Sequence, residues 1–319
     1  MNPHVLILSG LYDFSADLVA LRLEEAGVPF LRLNREHLHE HRLCLDPVRR
    51  VLDVTGPSGR HQVGPELRSI WYRQPVFLRN TPAEPLLPRD QLERSQWSAF
   101  LRALSVFRDA AWMNFPAKTY LAESKPYQLS IAKCCGFQVP KTLVTNDAAI
   151  TRQVFPGEAV LKSLDTVLLH DGTDCLFTYT TIRSTEGLAD RNMAAVPLMA
   201  QQVLGEKTDI RVTIIGETVF AVRILSGGAG IEGDWRVLPR DQIEYEGMKL
   251  DENVADSCRS LAQQLGLSFA AIDLIETTDG IFFIEVNPTG EWGWLSTDER
   301  PIDRAISAWL AKPPESGGN

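Results

Sequence analysis

The 319-residue chain has only five cysteines, and no two of them form a Cys-x-x-Cys pair. That spacing speaks against a zinc ribbon and against a dithiol redox centre. Cys44, Cys134, Cys135, Cys175 and Cys258 read instead as scattered small hydrophobes. Long apolar runs are missing too. The first run, Val5 to Leu8, is far too short to cross a bilayer. The N-terminus lacks the charged start and small-residue cleavage site of a signal peptide. The expected setting is the cytoplasm, with no membrane partner. Basic charge is in deficit: 32 Lys and Arg stand against 41 Asp and Glu, for a net charge of -9. Phosphate-backbone binding needs clustered Lys and Arg, so nucleic acid is not expected as a partner. There is no GxGxxG, hence no dinucleotide fingerprint. No recognised Ser/His/Asp or Cys/His motif points to a nucleophilic hydrolase.

What is present is a mixed α/β pattern. Val5–Leu8, a helix over Ser15–Ala26 and a strand over Val28–Leu33 form a βαβ unit, which predicts a parallel sheet. A loop is expected over Thr81–Pro85, and an amphipathic helix over Arg89–Phe107. A helix over Ala122–Cys135 closes at Gly136, and one over Asp147–Phe155 is capped by Asn146. The polar stretch from Asp165 to Asp190 has the character of a flap. Strands follow at Leu198–Leu204, Asp209–Ile215 and Thr218–Leu225, the last two joined through Gly216-Glu217. A helix over Glu252–Leu265 precedes a final hairpin, Phe269–Glu276 and Ile281–Val286. The divisions expected are 1–115, 116–200 and 201–312, with a disordered tail over 313–319. His37, His39 and His41 alternate, but read as an irregular polar stretch rather than a metal site.

The final hairpin carries the sharpest chemical signal. Asp273 and Glu285 interrupt strands that are otherwise apolar, where carboxylates are rare unless paired or bound to metal. A three-residue turn, Thr278-Asp279-Gly280, sets Glu276 against Phe282 and Asp273 against Glu285. Asn287, two residues on, shares a face with Glu285. Three such oxygens suit magnesium, with ATP phosphates completing the shell. Lys162 ends an apolar strand. Lys125 sits in the first turn of a helix, where a cation is disfavoured unless an anion is near. Taken alone, each is more often an ordinary surface lysine. Arg211, Arg223 and Arg236 are natural phosphate or carboxylate clamps, and the spacing of the first two about Gly216-Glu217 could bring them to one face.

Lys125, Lys162, Gln201-Gln202-Val203, Asp209-Ile210-Arg211, Arg223, Asp273 and Glu285-Val286-Asn287 occur in the order typical of ATP-grasp enzymes, which the chain resembles from about Asn114 onward. The segments DIRVTIIG, AAIDLI and EVNPTGEW are similar to those of the ribosomal-protein glutamate ligases. A narrower resemblance spans nearly the whole chain. Trp71-Tyr72-Arg73-Gln74-Pro75, Trp112-Met113-Asn114, Ser124-Lys125-Pro126-Tyr127-Gln128-Leu129, Val144-Thr145-Asn146-Asp147, Gly233-Asp234-Trp235-Arg236 and Gly290-Glu291-Trp292-Gly293-Trp294 look like the ATP-grasp peptide maturases, which make ω-ester or ω-amide links in graspetides of the microviridin type. One departure is that Lys162 is followed by SLDTVLLHDGTD, with a single glycine, rather than a glycine-rich flap.

The resemblance implies an α/β protein of α+β ATP-grasp fold, with an N-terminal pre-ATP-grasp domain before two sub-domains that clamp ATP. It implies an ADP-forming ligase with ATP and Mg2+ as cofactors. Lys125 and Lys162 would hold phosphates, Gln201 to Val203 the adenine, and Asp209 the ribose. Asp273, Glu285 and Asn287 would hold magnesium; for the chemistry itself, Arg211, Arg223 and Arg236 are the candidates to hold the transferring phosphoryl and the substrate carboxylate. Trp71 to Pro75, with Trp71, Tyr72 and Arg73 as the candidates, and Trp292-Gly293-Trp294 fit a peptide-binding surface, with core packing as the alternative for both. The implied partner is a precursor peptide with a leader and an Asp/Glu- and Ser/Thr/Lys-containing core. A homodimer stays open, as does a ligase for free amino acids.

Overall fold

The computed structural model describes residues 2–73, 86–165, 168–171, 174–177 and 180–313. The loop expected over 81–85, residues 74–75 of the Trp71 segment, residues 166–167, 172–173 and 178–179 of the flap and the tail beyond Pro313 fall outside them.

The βαβ reading opens the first sheet. Its four strands run parallel in the order Phe30–Asn34, Val5–Ser9, Ser69–Tyr72, Ala111–Met113. Val5, Leu6, Ile7 and Leu8 are all fully buried, because both faces of a parallel sheet are covered. One face packs on the helices Phe14–Glu25 and Ile302–Ala311. The other packs on the helix Pro88–Ala103 and on an antiparallel sheet of Arg42–Asp46, Val51–Gly56 and Gly59–Val63.

A second sheet orders Thr181–Ser184, Glu158–Lys162, Leu198–Gln201 and Thr142–Thr145 over a small core of Phe155, Ala159 and Ala200. The third and largest runs Ala229–Gly230, Thr218–Ser226, Thr208–Ile215, Phe269–Thr277, Gly280–Asn287, with Glu244–Met248 also on Thr218–Ser226. Ile210, Val212, Leu274 and Phe283 on one face meet the helices Lys125–Cys134 and Glu252–Leu265. On the other face, Ile215, Val222, Phe269 and Ala271 join the core of the first sheet. Asn114, 1% exposed, locks that junction. Its Nδ2 donates to the Phe269 and Pro288 carbonyls, and its Oδ1 accepts from the Ser268 and Phe269 amides, all within 2.9 Å.

Local differences from expectation have local causes. The helix predicted over Ala122–Cys135 runs over Lys125–Cys134, and a separate, earlier helix, Pro116–Ala122, ends where the prediction begins. Pro126 lacks an N–H and is preset for a first turn, so the later helix starts there and Lys125 becomes its first residue. The cap of Ala148–Val154 is Asp147, not Asn146: its Oδ1 accepts from the Ala149 and Ile150 amides at 2.8 and 3.1 Å. His37 and His39 lie in a 3-10 helix, Arg35–Glu40. The helix Glu252–Leu265 ends as predicted at Gly266, whose φ of +69° favours glycine.

Candidate functional site

The site lies where the second sheet faces one end of the large sheet. Asp273 pairs with Glu285 across the closing hairpin, as expected, but by a different route. The turn has two residues, Thr278 and Asp279, so Glu276 faces Ile281 rather than Phe282. A β-bulge after Asp273 leaves Ile284 as the extra residue and restores the register at Glu285. On the other side Asp273 pairs with Arg211, whose Nε lies 3.2 Å from its carboxylate.

Cations ring this pair of acids. Lys125 Nζ is 3.9 Å and Arg236 3.8 Å from opposite oxygens of Glu285. Lys125 also donates to the Ser163 carbonyl at 3.3 Å. Burial works to raise the Glu285 carboxyl, but Lys125, Lys162, Arg236 and Arg211 outweigh it and hold it below the usual glutamate range. At Asp273 burial prevails over Arg211, and the neighbouring Glu285 adds to it, so this carboxyl is pushed up to about 6. Two half-buried acids side by side cannot both ionise freely without a cation between them. Burial also lowers Lys162, with Glu285 opposing.

Lys162, Gln201, Gln202, Val203, Asp209, Arg236, Asp273 and Glu285 all line one cleft. These eight of the predicted site residues are thus brought together from six separate segments, while Lys125, Arg211 and Asn287 do not line the cleft itself. Gln201 is held by its Nε2, which donates to the Thr142 hydroxyl at 2.9 Å. Asp209 is raised by burial despite its ion pair with Lys207. Arg236 is fixed by a two-pronged pair with Asp234, both bonds 2.8 Å. Asn287 sits one step along the face from Glu285, its Oδ1 accepting the Thr289 amide at 3.0 Å. Among the described residues no group of three or more His, Cys, Asp or Glu side chains is arranged to hold a metal ion.

Two sequence expectations are corrected. Arg223 does not share a face with Arg211. The two-residue connection pairs Ile215 with Thr218, which sets Arg211 against Val222 and Arg223 against Ile210. Side chains alternate along a strand, so Arg223 lies on the opposite face, 3.3 Å from Glu276. In the Trp71–Arg73 segment, Trp71 and Arg73 are buried in the scaffold and only Tyr72 is partly exposed, which is the core alternative for the first and last of them. Trp71 is 2% exposed within the core of the first sheet, and Tyr72 packs against Trp112. Arg73, 2% exposed, donates to the Thr289 carbonyl and pairs with Glu291 at 2.6 Å and Asp13 at 3.5 Å. Trp292 is likewise fully buried, whereas Trp294 is partly exposed beneath Arg240.

Lys207 and Asp234 also line the cleft; neither has a predicted role, and Asp234 enters the sequence reading only within Gly233-Asp234-Trp235-Arg236. The parity of Lys207-x-Asp209 and the spacing Asp234-x-Arg236 are the signals that could have found them.

No family model matches the chain. Among curated proteins, a probable alpha-L-glutamate ligase of Mannheimia succiniciproducens is 26% identical over 222 residues, covering 64% of this chain and 68% of its own length. Among solved structures, a Chryseobacterium gregarium RiPP-associated ATP-grasp ligase, in complex with ADP and a leader and core peptide, superposes with a TM-score of 0.85 at 23% identity. It covers 99% of this chain and 98% of its own. The macrocyclase MdnC of Microcystis aeruginosa MRC, bound with the precursor peptide MdnA, gives 0.80 at 22% identity, covering 96% and 98%. The chain has the ATP-grasp ligase fold over nearly its full length, and the peptide maturases are among its structural neighbours.

Proposed function

We propose that the chain is an ATP-dependent, ADP-forming ligase that joins side chains of a precursor peptide. The observation that carries this reading is the cleft. It sets two adjoining carboxylates, Asp273 and Glu285, amid Lys125, Lys162, Arg211 and Arg236, next to a strand end at Gln201–Val203. Cations alone would bind many anions. Two adjoining carboxylates at their centre are hard oxygen donors for a divalent cation, and the polyphosphate of a nucleotide brings one.

Magnesium fits the residues present. Two carboxylates that face each other, with the Asn287 amide one step along, are hard oxygen donors, and a divalent ion would relieve their mutual repulsion. Bound there, it would neutralise charge on the ATP phosphates. Lys162, on the second sheet, and Lys125, on the helix packed against the acid strand, would hold phosphate oxygens. The edge at Gln201, Gln202 and Val203 would receive the adenine, and Asp209 the ribose.

A carboxylate does not acylate an alcohol or amine at neutral pH without activation. In the reading proposed, an Asp or Glu side chain of the peptide attacks the γ-phosphorus, and ADP leaves. A Ser or Thr hydroxyl or a Lys amine of the same peptide then attacks the acyl carbon. Phosphate leaves, the nucleophile loses its proton, and an ω-ester or ω-amide closes a ring. Arg211 and Arg236 would hold the transferring phosphoryl and the substrate carboxylate. The protein's contribution is position and charge. No residue is assigned as general base. Arg223, on the far face, is not part of this proposal.

A second reading is a ligase for free amino acids, which the likeness to the glutamate ligase favours. Hydroxylamine separates the two. With the peptide reading, adding hydroxylamine to protein, ATP, magnesium and an Asp/Glu-rich precursor traps hydroxamates on the peptide. With the amino-acid reading, the hydroxamate forms on free glutamate and the peptide is untouched. Hydroxamate on neither would refute the acyl-phosphate chemistry.

A further inference from the structure

Among the described residues Gly280–Asn287 is the last strand of its sheet, so one side of its ladder has no strand to bond. Bare edges leave backbone donors and acceptors unmatched. Two glutamines cover this one. The backbone of Gln138 bridges Phe282, and its carbonyl accepts from the Phe283 amide at 2.9 Å. Further along, the partner is a side chain. The Val286 amide donates to Gln128 Oε1 at 2.9 Å, and Gln128 Nε2 donates to the Val286 carbonyl at 2.7 Å. The same Nε2 donates to the Ala122 carbonyl at 2.6 Å. A single amide thus stands in for a missing strand at a single residue. That residue lies between Glu285 and Asn287.

The placement asks for a reason beyond packing. Leu129 and Ala132 already pack this helix onto the sheet as apolar side chains. An apolar residue at 128 would pack as well but would leave the Val286 amide and carbonyl, and the Ala122 carbonyl, without these bonds. Gln128 is 2% exposed, so water does not compete for its bonds. It also sits one helical turn after Lys125, whose Nζ reaches Glu285. One helix therefore brings a cation to the carboxylate and clamps the backbone beside it.

We propose that Gln128 is a positioning residue that fixes the separation of the Glu285 and Asn287 oxygens, and through it the affinity of the site for a divalent metal. The inference rests on the reading of Asp273, Glu285 and Asn287 as the metal-binding set. Outer partners that orient ligands act in this way in metal sites generally.

The test uses the full chain and Mn2+ as the probe, with its binding followed by electron paramagnetic resonance in the presence of ADP. Gln128→Met matches the length and removes all three hydrogen bonds. Gln128→Glu keeps the acceptor but loses both donors, and it carries the test if the first variant does not fold. The expected result is a Mn2+ Kd raised roughly 10-fold or more, with ADP binding in EDTA unchanged. An unchanged Mn2+ Kd in a folded variant, with Glu285→Ala clearly weakened, overturns the proposal alone. So does a loss of ADP binding in EDTA that matches the loss of Mn2+, since general damage then explains both. If Glu285→Ala leaves Mn2+ binding intact, the metal reading itself fails, and the proposal with it.

Discussion

Replacing Arg73 by methionine decides whether Trp71–Arg73 is scaffold or substrate surface. The guanidinium is buried between the start of the first helix, at Asp13, and the loop after the acidic hairpin, at Thr289 and Glu291. Removing it leaves Asp13, 5% exposed, as a carboxylate without its counter-charge. Breaking a buried pair costs about 3–5 kcal/mol. The low end applies here. Asp13 keeps the Ser9 hydroxyl at 2.8 Å and the Ala16 amide at 3.2 Å, and the Glu291 side chain, 41% exposed, can turn to water. A loss of about 3 kcal/mol lowers Tm by about 5–10 °C in a chain of this size. Thermal unfolding followed by circular dichroism measures it. A Tm within about 1 °C of wild type, together with weakened peptide binding, would refute the scaffold assignment and restore the substrate reading.

Arg223→Ala, on the far face with a partly exposed partner, should cost under about 1 kcal/mol and leave ADP formation intact, whereas Arg211→Ala should abolish it. Equal losses of activity would contradict the parity argument. Asp303 gives a pH signature. Burial raises its carboxyl, but the Ser296 hydroxyl and Arg22, each 2.6 Å away, outweigh it and hold it below the ordinary range. Its stabilisation is therefore complete above the unfolded value of about 3.9 and is lost as pH falls through the folded one. Urea midpoints should show Asp303→Asn destabilised at pH 7, with the gap to wild type closing at acid pH; a constant gap would contradict the assignment. The Cys258 thiol is fully buried and pushed up to about 12 by burial, while Cys44 and Cys134 are exposed. Native protein should leave Cys258 unlabelled by iodoacetamide until it is denatured, and rapid native labelling at that position would contradict this.

The acids of the hairpin were legible because a carboxylate in an apolar strand is costly without a partner, and alternation tells which residues share a face. Even so, the pairing of Asp273 with Glu285 was reached through two errors that cancel. The turn is one residue shorter than expected, and the bulge supplies the residue back. A bulge leaves little mark in a run such as Ile-Phe-Phe-Ile, where every residue suits either face. The misplacement of Arg223 has the opposite origin. There the register was fully fixed by a two-residue connection, and counting pairs from Ile215 and Thr218 would have separated the arginines. Trp71 and Arg73 were misread because burial of a charged residue depends on partners far off in sequence. Asp13 and Glu291 lie 60 and 218 positions away, and nothing local announces them. Gln128 is the same case, since the strand it completes begins about 150 residues later. The fold itself was readable earlier, from the opening βαβ unit and from ordered motifs along the chain.

The most direct measurement is the intact mass of an Asp/Glu- and Thr-rich precursor peptide after incubation with the protein, ATP and magnesium. Successive losses of one water per link, absent with Glu285→Ala and with ADP in place of ATP, are the predicted result. An unchanged peptide mass, with ADP released only when free amino acids are supplied, would contradict the account and assign the cleft to amino-acid ligation.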